Sequence, residues 1–276
     1  MSEIYGSDAY APREVALRVE NVGVAKARLP LLPLALLGVL AGAFIGLGAL
    51  CFTLVKSDPT LGFATAQVLG GVVFSLGLLL VVVAGAELFT GNNLLAMAWA
   101  DGKVTGCEVL RNWGVVCLGN LLGAAGLAVI VFWSGHTGMN GGSVGQTVVK
   151  IALAKQALPW HEALLRGVLC NVLVCAAVWM AMAGRSVVDK AVAIVFPISA
   201  FVAAGFEHSI ANMYFMPLAW LVQHAGPVPV DGGWVTAGGM VANWVVVIVG
   251  NLLGGSVLVG LTYYVIYRRG QPREAA

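Results

Sequence analysis

Gly205-Phe206-Glu207-His208-Ser209-Ile210-Ala211-Asn212 sets an acid, an imidazole and an amide within six residues of one another inside an apolar region. Gly85-Ala86-Glu87-Leu88-Phe89-Thr90-Gly91-Asn92 is an earlier copy, and both stretches read G-x-E-x-x-x-x-N. A bilayer-spanning segment tolerates such residues only where they face protein or a water-filled cavity. The two stretches are therefore expected to interrupt membrane helices and to line a passage between them.

The surrounding composition agrees with lipid as part of the solvent. Of 276 residues, 59% are hydrophobic and 10% charged, and the mean hydropathy is +0.90. A soluble domain is roughly 45–50% apolar and about 25% charged. A net charge of +2 without a basic run gives no support to a nucleic-acid partner. Cys51, Cys107, Cys117, Cys170 and Cys175 lie in or near apolar segments and form no C-x-x-C pair. They read as small hydrophobes, so no metal and no cofactor is expected. Glu3, Asp8, Glu14 and Glu20 crowd the segment before the first apolar run, which argues against a cleavable signal peptide.

Six stretches approach the length of about 20 apolar residues that a span needs: 30–55, 64–87, 109–133, 161–183, 188–204 and 236–267. Short apolar pieces, 93–100 and 209–222, follow the second and the fifth, which are thus predicted to be broken helices. Gly85, Gly91 and Gly205 permit the backbone of a break, and Pro197 and Pro217 flank the second one. Ahead of the spans, Val15, Val19 and Val22 recur at helical spacing between charged residues. Residues 1–28 read as an amphipathic segment at the membrane surface or an ordinary solvated helix. A transmembrane domain would cover 29–268 and a short tail 269–276. Counting Lys and Arg by side puts 11 with the termini and 4 opposite, which predicts cytoplasmic termini.

The chain also repeats itself. Residues 112–123 and 243–254 both read N-W-x-V-V-x-x-G-N-L-L-G, and Gly38-Val39-Leu40 matches Gly167-Val168-Leu169. Repeat one would run 29–134 and repeat two 161–268. Three spans per half is an odd number, so the second half must insert upside down. Inverted repeats with interrupted helices at matching positions point to a site at the midplane. The fold class expected is an all-α membrane protein of six helices. Gly114, Gly119, Gly123 and Gly126 in the third span, with Gly250, Gly254, Gly255 and Gly260 in the sixth, read as close-packing positions. Trp113, Trp133, Trp160, Trp220 and Trp234 suit an interfacial belt.

His208 is the residue best placed for chemistry: it adjoins Glu207 at a break, and an imidazole switches charge near neutral pH. Glu87 and Glu207 are expected to accept backbone N–H bonds left open at the breaks, with Asn92 and Asn212 as caps of the short halves. Thr90 would reach His208 if the breaks face each other. Asn171, in the fourth span, either binds a neighbouring helix or offers a donor to a passing anion. Lys155 reads as a loop charge on the outer side. Phe74, Leu78 and Phe201 are apolar residues of the core, the lipid face or a constriction.

Together these residues resemble the formate/nitrite transporter family across about residues 14–268. The motifs GAELFTGN (85–92), NVLVCAAVWMA (171–181), GRSVVDKA (184–191) and GFEHSIANMY (205–214) carry the resemblance, and they look most like the formate channel branch. The resemblance implies an aquaporin-like fold, one pore per subunit of a homopentamer, and a place in the bacterial cytoplasmic membrane. It implies that Thr90 contacts the central His208, with Asn171 beside it and Lys155 raising the positive potential. Leu78, Leu88 and Val174 would form the cytoplasmic constriction, and Phe74 and Phe201 the periplasmic one. The expected cargo is formate or a similar small monovalent anion, not a substrate to be transformed. Nitrite and hydrosulfide channels of the same family, and a proton-coupled carrier of monocarboxylates, stay open as alternatives. A haem anchor lacks ligands, because His136, His161 and His224 sit at span ends. Adjacent His208 and Ser209 make no hydrolase triad.

Overall fold

The computed structural model describes residues 8–225 and 232–270. Helix α1 is Pro12–Ala27, α2 Leu31–Lys56, α3 Phe63–Phe74, α4 Leu76–Val83, α5 Leu95–Ala100 and α6 Gly106–Trp133. Then follow α7 Ser143–Gln156, α8 Trp160–Ala183, α9 Val187–Ala203, α10 Ser209–Ala225, α11 Ala237–Leu252 and α12 Thr262–Tyr267. The residues between α11 and α12, Leu253–Leu261, are a π-helix. No strand occurs among the described residues.

Among the described residues, five stretches are long and apolar enough to cross a bilayer: Leu31–Lys56, Phe63–Val83, Gly106–Trp133, Trp160–Ala183 and Ala237–Tyr267. The remaining expected span, 188–204, fifth in chain order, is α9, which at 17 residues is shorter than the usual spanning length. Several starts are written in the local sequence. Thr105 and Glu108 form a capping box ahead of α6, and Ser186 and Asp189 do the same for α9. Pro12 opens α1, where its missing N–H costs nothing.

Both breaks begin at a glycine in the left-handed region, Gly85 at φ 82° and Gly205 at φ 71°. Each is followed by the wrap-back bond that closes a helix C-terminus: Ala86 N–H donates to the Val81 carbonyl at 2.9 Å, and Phe206 N–H to the Phe201 carbonyl at 3.0 Å. The chain resumes as a 3₁₀ turn, Gly91–Leu94, and α5 after the first break, and directly as α10 after the second. Pro197 and Pro217 lie inside α9 and α10.

The main packing pairs are α2 on α6, α8 on α11 and α3 on α9. Glycine sets the first two. A Cβ on Gly42 or Gly123 would collide with the carbonyls of Asn120 and Val39, and one on Gly250 or Gly254 with those of Leu164 and Val168. Gly114 and Gly126 face open space instead, so packing within the subunit does not account for them. Large apolar side chains on the outer faces, such as Leu118, Leu122 and Ile130, stay exposed. Trp113 departs from the belt: it is half-buried, and its indole N–H donates to the Asn92 carbonyl.

Helix α1 lays its apolar side on protein and keeps Glu14, Arg18 and Asn21 on the exposed side. Its Val15, Ala16 and Val19 are covered by protein, and so is Glu20, with 0% exposure. Glu20 accepts from Lys103 and from Arg268, which ties α1 to the loop after α5 and to the residue after α12. Residues 1–7 and 271–276 of the expected terminal segments, including Arg273, lie outside the described residues.

Candidate permeation site

The two breaks meet. Thr90 Oγ1 and His208 Nε2 are 3.1 Å apart, and both residues are buried. The Ala211 N–H donates to His208 Nδ1 at 3.2 Å. That makes Nδ1 the acceptor in the neutral ring and leaves Nε2 to carry the proton and donate to Thr90. Phe201 stacks on the imidazole, its centroid 5.9 Å away, and meets Phe74 edge-on at 5.8 Å.

A void of about 10 Å³ adjoins His208 and is walled by Phe74, Phe201, Leu78, Leu88 and Val174, among others. It has room for about one water molecule. Two larger cavities flank it. One, about 320 Å³, is lined by Leu78 and Leu88 together with Lys26, Glu87 and Asn92. The other, about 300 Å³, is lined by Phe74, Phe201 and His208 together with Lys155 and Glu207. Two vestibules, each with a lysine and a glutamate in a largely apolar wall, thus end on a narrow apolar neck beside the His208 imidazole.

Matching polar clamps hold the breaks. Glu87 Oε1 pairs with Lys26 Nζ at 2.9 Å, and Glu207 Oε1 pairs with Lys155 Nζ at 2.8 Å. The other carboxylate oxygen accepts from the amide five residues on: Asn92 Nδ2 donates to Glu87 Oε2, and Asn212 Nδ2 to Glu207 Oε2, both at 2.7 Å. Each amide also donates to a residue of the next long helix, Asn92 to Asn112 and Asn212 to Asn243. Asn120 donates to the Gly38 and Glu87 carbonyls and accepts from Phe89 N–H. Asn251 donates to the Gly167 and Glu207 carbonyls and accepts from Ser209 N–H. Buried amides that satisfy both sides of a broken backbone are the only cheap way to keep it dry.

Several expected contacts are replaced by others. Glu87 and Glu207 bind lysines and amides, not the free N–H groups of the breaks, because an ammonium neutralises a buried carboxylate better than a neutral donor. Asn92 and Asn212 do not cap the short halves; their side chains cross-link instead. Lys155 is not a free loop charge: it closes α7 and is ion-paired. Asn171 spends its Nδ2 on the Thr90 carbonyl, Asn93 Oδ1 and the Asn251 carbonyl. It therefore holds neighbouring elements and has no amide donor left for an anion.

Sequence reading missed Lys26, Asn112, Asn243, Asn120, Asn251 and Asn93 as site residues. For four of them the signal was present: they are the invariant asparagines of the repeated N-W-x-V-V-x-x-G-N pattern. Lys26 precedes Gly38 by the same interval as Lys155 precedes Gly167.

An all-helical chain with bilayer-length apolar helices, and with two breaks meeting between vestibules, defines a helical membrane transport protein. The formate/nitrite transporter family model matches residues 13–265, and the chain belongs to that family. It is 38% identical to the formate channel FocA of Escherichia coli strain K12 over 273 residues, 95% of this chain and 96% of that protein. The formate channel FocA of Haemophilus influenzae is 35% identical, over 92% of this chain and 94% of that protein. Among solved structures, a pentameric formate channel with formate bound superposes with a TM-score of 0.81 at 35% identity, covering 86% of this chain and 97% of that one.

Proposed function

We propose that this chain is a channel subunit that passes formate across the bacterial cytoplasmic membrane, and that it works as a homopentamer with one pore in each subunit. The single observation that carries the reading is His208, the titratable group bonded to Thr90 in the neck between the two vestibules. The names of the relatives, which are formate channels, point the same way. In this reading α9 and α10 make the fifth of six spans, the halves 29–134 and 161–268 are related by inversion, and both termini are cytoplasmic. The matched clamps support the inversion.

A bare anion cannot cross the apolar neck, since an isolated charge in a low-dielectric medium costs on the order of tens of kcal/mol. Protonation removes most of that cost. Formate enters the periplasmic vestibule past Lys155, whose charge is shared with Glu207, and meets the ring formed by Phe74 and Phe201. A proton from the vestibule water, relayed through His208 or through water beside it, converts formate to formic acid, and His208 ends neutral as it began. Formic acid crosses the neck past Leu78, Leu88 and Val174, and gives the proton up in the vestibule of Lys26 and Glu87. No bond of the cargo other than O–H is made or broken, so the protein is no enzyme in this reading.

The test is formate flux into proteoliposomes as a function of pH, for the native chain and for His208→Phe. Flux with a pH dependence that is lost in the variant is expected. An unchanged pH dependence removes His208 from the mechanism, and no formate flux by the native chain overturns the substrate assignment.

A further inference from the structure

One half of the molecule holds its break with an apparatus that the other half lacks. Asn93, buried, donates from Nδ2 to the Phe89 carbonyl at 3.0 Å. Its Oδ1 accepts from Asn171 at 2.7 Å, and its own carbonyl accepts from Ser256 Oγ at 3.2 Å. Asn171 and the Cys175 thiol both donate to the Thr90 carbonyl, at 3.2 and 3.3 Å. Ser256 belongs to the π-helix Leu253–Leu261, and a π segment often marks a functional site. Gly255 beside it has no room to spare: a Cβ there would collide with Asn171 Nδ2 and crowd Cys175 Sγ and Asn93 Cβ.

By the register of the repeat, the positions that match Asn93, Asn171, Cys175 and Ser256 are Met213, Gly42, Gly46 and Ala125. None carries a side-chain hydrogen-bonding group. The reason lies in the backbone. The second break runs straight into α10, whose helix bonds order it. The first resumes only as a 3₁₀ turn, Gly91–Leu94, with poorer bonds, so side chains must do the ordering. Asn171 and Cys175 grip the carbonyl of Thr90, whose hydroxyl touches His208, while Asn93, held by Ser256 and Asn171, grips the carbonyl of Phe89 just before it.

We propose that Asn93 and Ser256 are positioning residues: they latch the first break to the π-helix and thereby set the Thr90–His208 contact. They act through Thr90 and do not themselves touch the passing species. The proposal rests on the channel reading only for its flux readout.

The experiment uses the full chain with Ser256→Ala, Asn93→Leu and Gly255→Ala, each checked for native oligomer size. Amide exchange followed by mass spectrometry is read first, since it needs no transport. Exchange in peptides covering 86–93 should quicken roughly 3- to 10-fold, the scale of one lost net hydrogen bond, while 205–212 stays as it was. Flux is read second: Ser256→Ala should shift the pH profile as Thr90→Ala does, and the double variant should be no worse than Thr90→Ala alone. Unchanged exchange at 86–93, or effects that add to Thr90→Ala, overturns the latch. If Asn93→Leu or Gly255→Ala fails to assemble, Ser256→Ala, which removes one hydroxyl, decides alone. Quickened exchange in a protein with no formate flux leaves the latch standing and removes the channel reading.

Discussion

Lys155→Met tests whether the clamps carry the stability of the breaks. Glu207 is almost wholly enclosed, its side chain 4% exposed, and Lys155 is 15% exposed with Nζ–Oε1 at 2.8 Å. At that separation, with an effective dielectric constant of about 20, the attraction is on the order of 6 kcal/mol before desolvation is subtracted. Removing the ammonium leaves the carboxylate with Asn212 as its one side-chain donor among the described residues. An uncompensated buried charge of this kind costs about 3–5 kcal/mol. Making Glu207 neutral as well, in Lys155→Met/Glu207→Gln, removes the stranded charge and should recover at least half of the loss. The matching pair gives an internal control. Lys26 and Glu87 are more exposed, at 25% and 8%, so Lys26→Met should cost less even though it also removes the bond to Asn92. Tryptophan fluorescence during denaturant unfolding in detergent micelles reads the order. A single variant within about 1 kcal/mol of native, the range of a surface pair, or a double variant no better than the single, would refute the reasoning.

Burial holds the Glu20 carboxyl above its usual range against the lowering effect of Lys103 and Arg268, with Asp101 adding to the rise. A raised folded-state pKa means that this group's stabilisation is complete below the ordinary carboxylate pKa and is lost as pH rises through the folded value. Protection of α1 against proteolysis should therefore be greatest in acid and fall toward neutral pH, and Glu20→Gln should flatten the change; a flat native profile would count against it. Gly123→Ala, whose Cβ meets the Val39 carbonyl, should lower stability by about 1–3 kcal/mol, the usual cost of overpacking. Gly126→Ala, in open space, should be neutral within the subunit, and equal thermal unfolding of the two would contradict the packing account. Phe201→Ala should widen the neck and raise acetate flux relative to formate flux, and an unchanged ratio would show that the Phe74–Phe201 contact is not the narrow point.

Much of this was legible from the residues in order. Hydropathy marked the apolar helices because lipid leaves no alternative to a satisfied helical backbone. Glycine marked both breaks, since only the left-handed backbone at Gly85 and Gly205 could turn the chain there. The resemblance suggested the contact of Thr90 with His208. What stayed hidden was partner choice. Glu87 and Glu207 look alike on paper whether they bind backbone N–H groups or lysines, and Asn171 looks the same as an anion donor or as a brace. The expected span 188–204 was also hidden in part, because α9 is only 17 residues long and the chain resumes as α10 beyond the break.

The order of residues alone determined the lipid-compatible composition, the repeat and the two interruptions, because each is a property of local chemistry and spacing. Only the tertiary structure decided that Lys26 and Lys155 close on Glu87 and Glu207, that Asn93 and Ser256 meet across 163 residues, and that the apolar neck separates two vestibules. Those are facts about which groups must neutralise one another once water is excluded, and exclusion of water is set by packing, not by neighbours along the chain.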